Sequence, residues 1–194
     1  EALRSELKDL QMKLKGTFLF VTHDQIEAMT MGDKIGVLNH GRIVQVGTPY
    51  DIYNHPRDVF VAGFVGSPAM NLVAGELRGG RVTTLSGKLA IGLAGEAAAE
   101  VGAASGTVTV GIRAEDVVVG PGEAAEAKVH HVENHGVEQI VTLRVDAHLF
   151  KATVPATMAV AVEETVRFSW DAGKVHCFDG RTGLSLALRD KAAA

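Results

Sequence analysis

The chain has 194 residues, with 19 Lys and Arg against 23 Asp and Glu for a formal net charge of −4, and it is 46% hydrophobic and 22% charged. That is the composition of an ordinary globular chain, long enough for one large or two small domains with cores of their own. No window approaches the roughly 18 consecutive apolar residues of a membrane-spanning helix, and the single cysteine, Cys177, has no partner for an internal disulfide, which fits a reducing compartment.

In chain order, Leu3, Leu7, Leu10 and Leu14 form one helical stripe with charged residues filling the other faces, so residues 1–15 are expected to be an amphipathic helix stopped by Gly16. No capping residue precedes Glu1 and the signal-peptide plan of charge followed by an apolar run is missing; the pattern reads as one that starts inside a helix of a longer polypeptide. Phe18-Leu19-Phe20-Val21 suits a parallel strand buried on both faces, running to Thr22. In a chain lacking the rest of that sheet, its edge is expected to be exposed. Asp24, with Glu27 three residues on, reads as a capping box opening a helix over 25–31. His23 is then left at the carboxyl end of a strand beside a helix N-terminus, where open α/β sheets bind ligands and oriented N–H groups favour phosphate. A lone histidine at a strand end is more commonly a hydrogen-bonded surface or core residue.

Strands are expected over 34–39 and 42–46, joined by a hairpin turn at Asn39-His40-Gly41. Thr48 as N-cap, Pro49 at the first helical position and Asp51 in the first turn predict a short helix through Asn54. Residues 57–67 pair Phe60 with Phe64 and Val61 with Val65 at helical spacing before Gly66-Ser67-Pro68. Beyond Val73 the period changes to two: Val108, Val110 and Ile112; Val141, Leu143 and Val145; Val166, Phe168 and Trp170. Turn signals recur at Gly79-Gly80, Ser86-Gly87, Gly120-Pro121-Gly122, Asn134-His135-Gly136, Asp171-Ala172-Gly173 and Asp179-Gly180, as in a small barrel or sandwich. The Ala/Gly-rich stretch 94–106 reads as a loop with a helical turn.

The run from Phe18 through Val-Thr-His-Asp to Met31, followed by Gly32-Asp33-Lys34-Ile35-Gly36-Val37-Leu38 and by Gly41 through Pro49, closely resembles the end of an ABC-transporter ATPase subunit. The exit pattern from His55-Pro56 to Asn71 continues the likeness. Gly111-Ile112-Arg113-Ala114-Glu115-Asp116 is similar to the Gly-Ile-Arg-Pro-Glu-His of the transport-associated OB (TOBE) domain in carbohydrate importers of the maltose and glycerol-phosphate type, with Ala114 and Asp116 replacing the usual Pro and His. The resemblance implies an α/β remnant of an ABC ATPase domain over 1–72, followed by an all-β OB-like barrel over 73–194. It implies that His23 is the switch histidine, catalytic by contacting the γ-phosphate of ATP and helping to position the attacking water. It also implies ATP and magnesium as cofactors of the whole subunit, transmembrane permease subunits and a second ATPase copy as partners, an extracytoplasmic solute-binding protein acting indirectly, a regulator at the OB-like domain, and a place on the inner face of the cell membrane. The sequence lacks the Gly-x-x-x-x-Gly-Lys-Ser/Thr loop that cradles phosphates, since Gly87-Lys88 is followed by Leu89. The segment alone is therefore expected to bind no nucleotide and to hydrolyse none.

Rival chemistries are weaker. Residues 73–194 carry 12 Lys and Arg against 15 Asp and Glu, with Phe150, Phe168, Trp170 and Phe178 as their aromatics, which disfavours a nucleic-acid groove. His131 and His135 stand four apart but fall on a strand and turn, where His130 and His131 are expected to face opposite ways and no ligand set is completed. Cys177 reads as a small buried apolar residue, Trp170 as core, and Arg113 with Glu115 as structural polar groups. A ligand- or anion-sensing OB-type regulatory module of another importer class is the alternative function.

Overall fold

The computed structural model describes residues 2–14, 16–84, 86–102, 104–120 and 125–188. The side chain of Leu3 and most of the expected turn at Gly120-Pro121-Gly122 lie outside the described residues. The chain forms two compact units, Glu1–Pro56 and Arg57–Ala194.

In the first unit, helix α1 (Ala2–Leu14) and helix α2 (Gln25–Met31) precede an antiparallel hairpin of β1 (Ile35–Asn39) and β2 (Arg42–Gly47). The hairpin turns through His40 at φ 46° and Gly41 at φ 75°. Two successive left-handed residues match the right-handed twist of the flanking strands, which is why a two-residue loop suffices. Helix α3 (Pro49–Asn54) starts with the full reciprocal box: the Thr48 hydroxyl accepts from the Asp51 N–H while the Asp51 carboxylate accepts from the Thr48 N–H at 3.0 Å. Ile52 on α3 and Val37 on β1 are this unit's buried hydrophobic side chains among the described residues.

The expected strand over 18–22 is not formed. Residues 17–22 join no ladder among the described residues, and Phe18, Leu19, Phe20 and Val21 are 51%, 94%, 60% and 89% exposed. The reason is energetic: a β-strand is held by hydrogen bonds to its neighbours and by burial of both faces, and with neither available an apolar, β-branched sequence has no means of expressing its preference. The apolar exposure expected of a sheet remnant is present, but on an irregular segment.

The second unit opens with helix α4 (Val59–Phe64), capped by Asp58, whose carboxylate accepts from Val61 N–H at 2.9 Å. Its strands are β3 (Asn71–Arg78), β4 (Arg81–Thr84) and β5 (Ala90–Gly92), then, after helix α5 (Gly95–Val101), β6 (Gly106–Ile112) and β7 (Val117–Val119). There follow β8 (Ala125–Asn134), β9 (Glu138–Val145), β10 (His148–Pro155), β11 (Thr165–Trp170) and β12 (His176–Asp179). They form two five-stranded antiparallel sheets, ordered β12-β6-β3-β4-β5 and β10-β9-β8-β11-β7. Of the period-two residues expected to face inward, Val110, Val141, Leu143 and Phe168 are fully buried in one cluster fed by both sheets, and Val166 and Trp170 are partly buried against it. Phe168 lies 5.6 Å from Phe150 and 5.8 Å from Trp170 between ring centroids, and burial of one such ring contributes about 1.5–3 kcal/mol. The architecture is a mixed α/β piece followed by a mostly β, OB-like unit, consistent with the fold that the resemblance implied.

Asn71 joins the two sheets. At the start of β3 its amide nitrogen donates to the Ile112 carbonyl at 3.0 Å and the Lys151 carbonyl at 2.9 Å, while its oxygen accepts from Lys151 N–H at 2.6 Å. One buried side chain thus ties β3, β6 and β10 together.

The expected alternation of His130 and His131 is broken. The β8–β9 register slips between Val129 and His131, so that Val129 faces Leu143 but His131 faces Thr142. His130 is the extra residue of a β-bulge, and both imidazoles are exposed.

Candidate functional site

His23 occupies the bend just before α2 and is exposed. Asp24 caps the helix, its Oδ1 accepting from Ile26 N–H at 2.8 Å and Glu27 N–H at 3.1 Å. Those two N–H groups are therefore committed to a carboxylate, as the capping role of Asp24 requires. The expected capping box is also altered: Thr22 Oγ1 accepts from Asp24 N–H at 2.9 Å and donates to Glu27 Oε2 at 2.8 Å, so a hydroxyl relays what direct contact makes in an ordinary box. What this bend can offer a nucleotide is the His23 imidazole, held by a rigidly capped turn and open to solvent.

Lys88 of the Gly87-Lys88 dipeptide sits in the β4–β5 turn and donates to Asp146 Oδ1 at 3.0 Å, with no phosphate loop around it. Arg113 is buried and its Nη1 donates to the Val65 carbonyl, the structural role its position suggested. Among the described residues no group of three or more His, Cys, Asp or Glu could hold a metal. No helix of the described residues is long and apolar enough to cross a membrane.

Cys177 is 1% exposed and burial pushes its thiol up to about 12. A thiol that deprotonates so late is inert as a nucleophile near neutrality. Iodoacetamide near pH ~8 is expected to leave the folded chain unmodified and to alkylate it once in denaturant; rapid labelling of the folded chain, read by intact mass, would show this pocket to be open.

Comparison with known proteins bears on the whole chain. Residues 66–117 match the MalK OB fold domain family and residues 110–178 the TOBE domain family. The chain is 41% identical to the xylose/arabinose import ATP-binding protein XacK of Haloferax volcanii, over 97% of this chain and 50% of that protein. It is 37% identical to the sn-glycerol-3-phosphate import ATP-binding protein UgpC of Ruegeria pomeroyi, over 95% and 51%. It is 38% identical to the sulfoquinovosyl glycerol transport ATP-binding protein SmoE of Agrobacterium fabrum, over 95% and 52%. The chain thus spans about half the length of the curated relatives it matches. Residues 66–178 thus carry a MalK-type OB fold and a TOBE domain, and over nearly its whole length the chain is homologous to the carboxyl-terminal half of ABC importer ATP-binding subunits.

Proposed function

We propose that this segment is part of the ATP-hydrolysing subunit that powers uptake of a carbohydrate or related polyol through an ABC transporter. The observation that carries the reading is the end-to-end match to import ATP-binding proteins at 37–41% identity, taken with the Val-Thr-His-Asp run that ends at an exposed imidazole. Residues 1–72 would belong to the ATPase domain and 73–194 to its OB-like companion. His23 is the γ-phosphate contact, holding the lytic water in line; ATP with magnesium supplies the phosphoryl group. The subunit pairs with a second copy and drives permease subunits from the inner face of the membrane, and the OB-like unit adds dimer contacts and a surface for a regulator. A phosphate-cradling loop is missing from the segment, so it is inactive alone.

The test is reconstitution. The polypeptide carrying these residues together with a nucleotide-cradling half, placed with its permease in vesicles, is expected to hydrolyse ATP and to drive solute uptake, whereas the 194-residue segment alone releases no phosphate. Phosphate release by the segment alone, or uptake that is indifferent to ATP, would overturn the reading.

A further inference from the structure

A cleft of about 540 Å³ opens in the second unit between the β4–β5 turn and the β8–β9 ladder, lined by Lys88, Glu126, Lys128, Arg144, Asp146 and Thr165 over a floor that includes Ala127 and Val145. The cleft is wide and open to solvent. Three cations, Lys88, Lys128 and Arg144, line it together with the carboxylates of Glu126 and Asp146. Lys128 and Arg144 are direct cross-strand partners, an arrangement of like charges that destabilises a ladder unless an anion lies between them.

In the folded chain that anion is Glu163, which accepts from Lys128 Nζ at 3.1 Å and stands 3.8 Å from Arg144 Nη2. The latter distance is an ion pair without a hydrogen bond, and among the described residues the Arg144 guanidinium donates to no acceptor. The carboxylates that pair with these cations, Glu163 and Asp146, stand at the left-handed backbone angles φ 69° and φ 58°, and their pairs with Lys128 and Lys88 are solvent-exposed. Exposed pairs of this kind contribute little and are readily exchanged for a better anion. A phosphate offers what a single carboxylate does not: geometry for the planar Arg fork and enough charge for the flanking lysines.

We propose that this cleft binds a small phosphomonoester, its phosphate seated between Arg144, Lys128 and Lys88 in place of the Glu163 carboxylate, and its organic body over Ala127, Val145 and Thr165. The volume exceeds what inorganic phosphate needs, which is why an organic ester is the better occupant. The site rests on the second unit alone and does not depend on the reading of residues 1–72.

Calorimetric titration of the full chain with ribose 5-phosphate, inorganic phosphate and ribose tests this. Ribose 5-phosphate is expected to bind at least tenfold more tightly than inorganic phosphate, and ribose not at all. Arg144→Gln is expected to weaken binding at least tenfold, and Glu163→Gln to strengthen it severalfold by removing the competing carboxylate. If Arg144→Gln melts early, Lys88→Gln on the opposite wall is expected to give the same weakening. No heat from ribose 5-phosphate, equal affinity for inorganic phosphate, or binding indifferent to Lys88→Gln or Arg144→Gln would each overturn the proposal.

Discussion

In the intact subunit, His23→Ala is expected to leave ATP binding nearly unchanged while slowing phosphate release by about 10²–10³-fold, the usual loss when one donor aimed at developing charge is removed. The argument starts from the capped turn. Asp24 and the Thr22–Glu27 relay fix the backbone on the carboxyl side of His23, so the substitution removes a side chain without unravelling α2. On the proposed function, most of the binding energy for the nucleotide would come from a phosphate-cradling loop outside these residues, which would leave affinity nearly intact. Single-turnover phosphate release alongside equilibrium nucleotide binding separates the two quantities. Parallel losses of affinity and turnover would assign His23 a general binding role, and unaltered turnover would remove it from the chemistry.

Asn71→Ala is expected to lower the stability of the second unit by about 3 kcal/mol, since it deletes three hydrogen bonds and strands their backbone partners. Asn71→Asp is expected to be no better: it keeps an acceptor for Lys151 N–H but turns a carboxylate toward the Ile112 and Lys151 carbonyls. Urea unfolding followed through Trp170, the one tryptophan of the chain and packed against the core, reads this unit directly. A loss under about 0.5 kcal/mol would mean that the sheets are held by apolar packing alone.

Much of this was legible in the residues because local rules and tertiary structure agree. Thr48-Pro49-x-Asp51 carries a complete capping box, and the alternating Val and Phe residues from Thr107 onward name their own buried face. The segment 18–22 misleads because its strand propensity is a statement about neighbours, and among the described residues no strand pairs with it. His130 and His131 mislead because a bulge is a property of the pair of strands and leaves no mark on one of them. His23 was found through its motif. The cleft had no motif: Lys88, Lys128, Arg144 and Glu163 are scattered over 76 positions of the numbering, and only strand register makes Lys128 and Arg144 opposite one another.

The contacts of residues 57–71 carry a practical consequence. Arg57 accepts from Ser185 N–H, Val59 donates to the Gly183 carbonyl, Asp58 bridges to Leu184, Val65 receives Arg113, and Asn71 holds Lys151. These residues are therefore fastened both to the carboxyl-terminal end of the β-unit and to its middle. A chimera splicing the OB-like half of one relative onto the motor half of another should be cut after Pro56, which keeps every one of those fastenings within a single parent, whereas a cut at Asn71 would mix them.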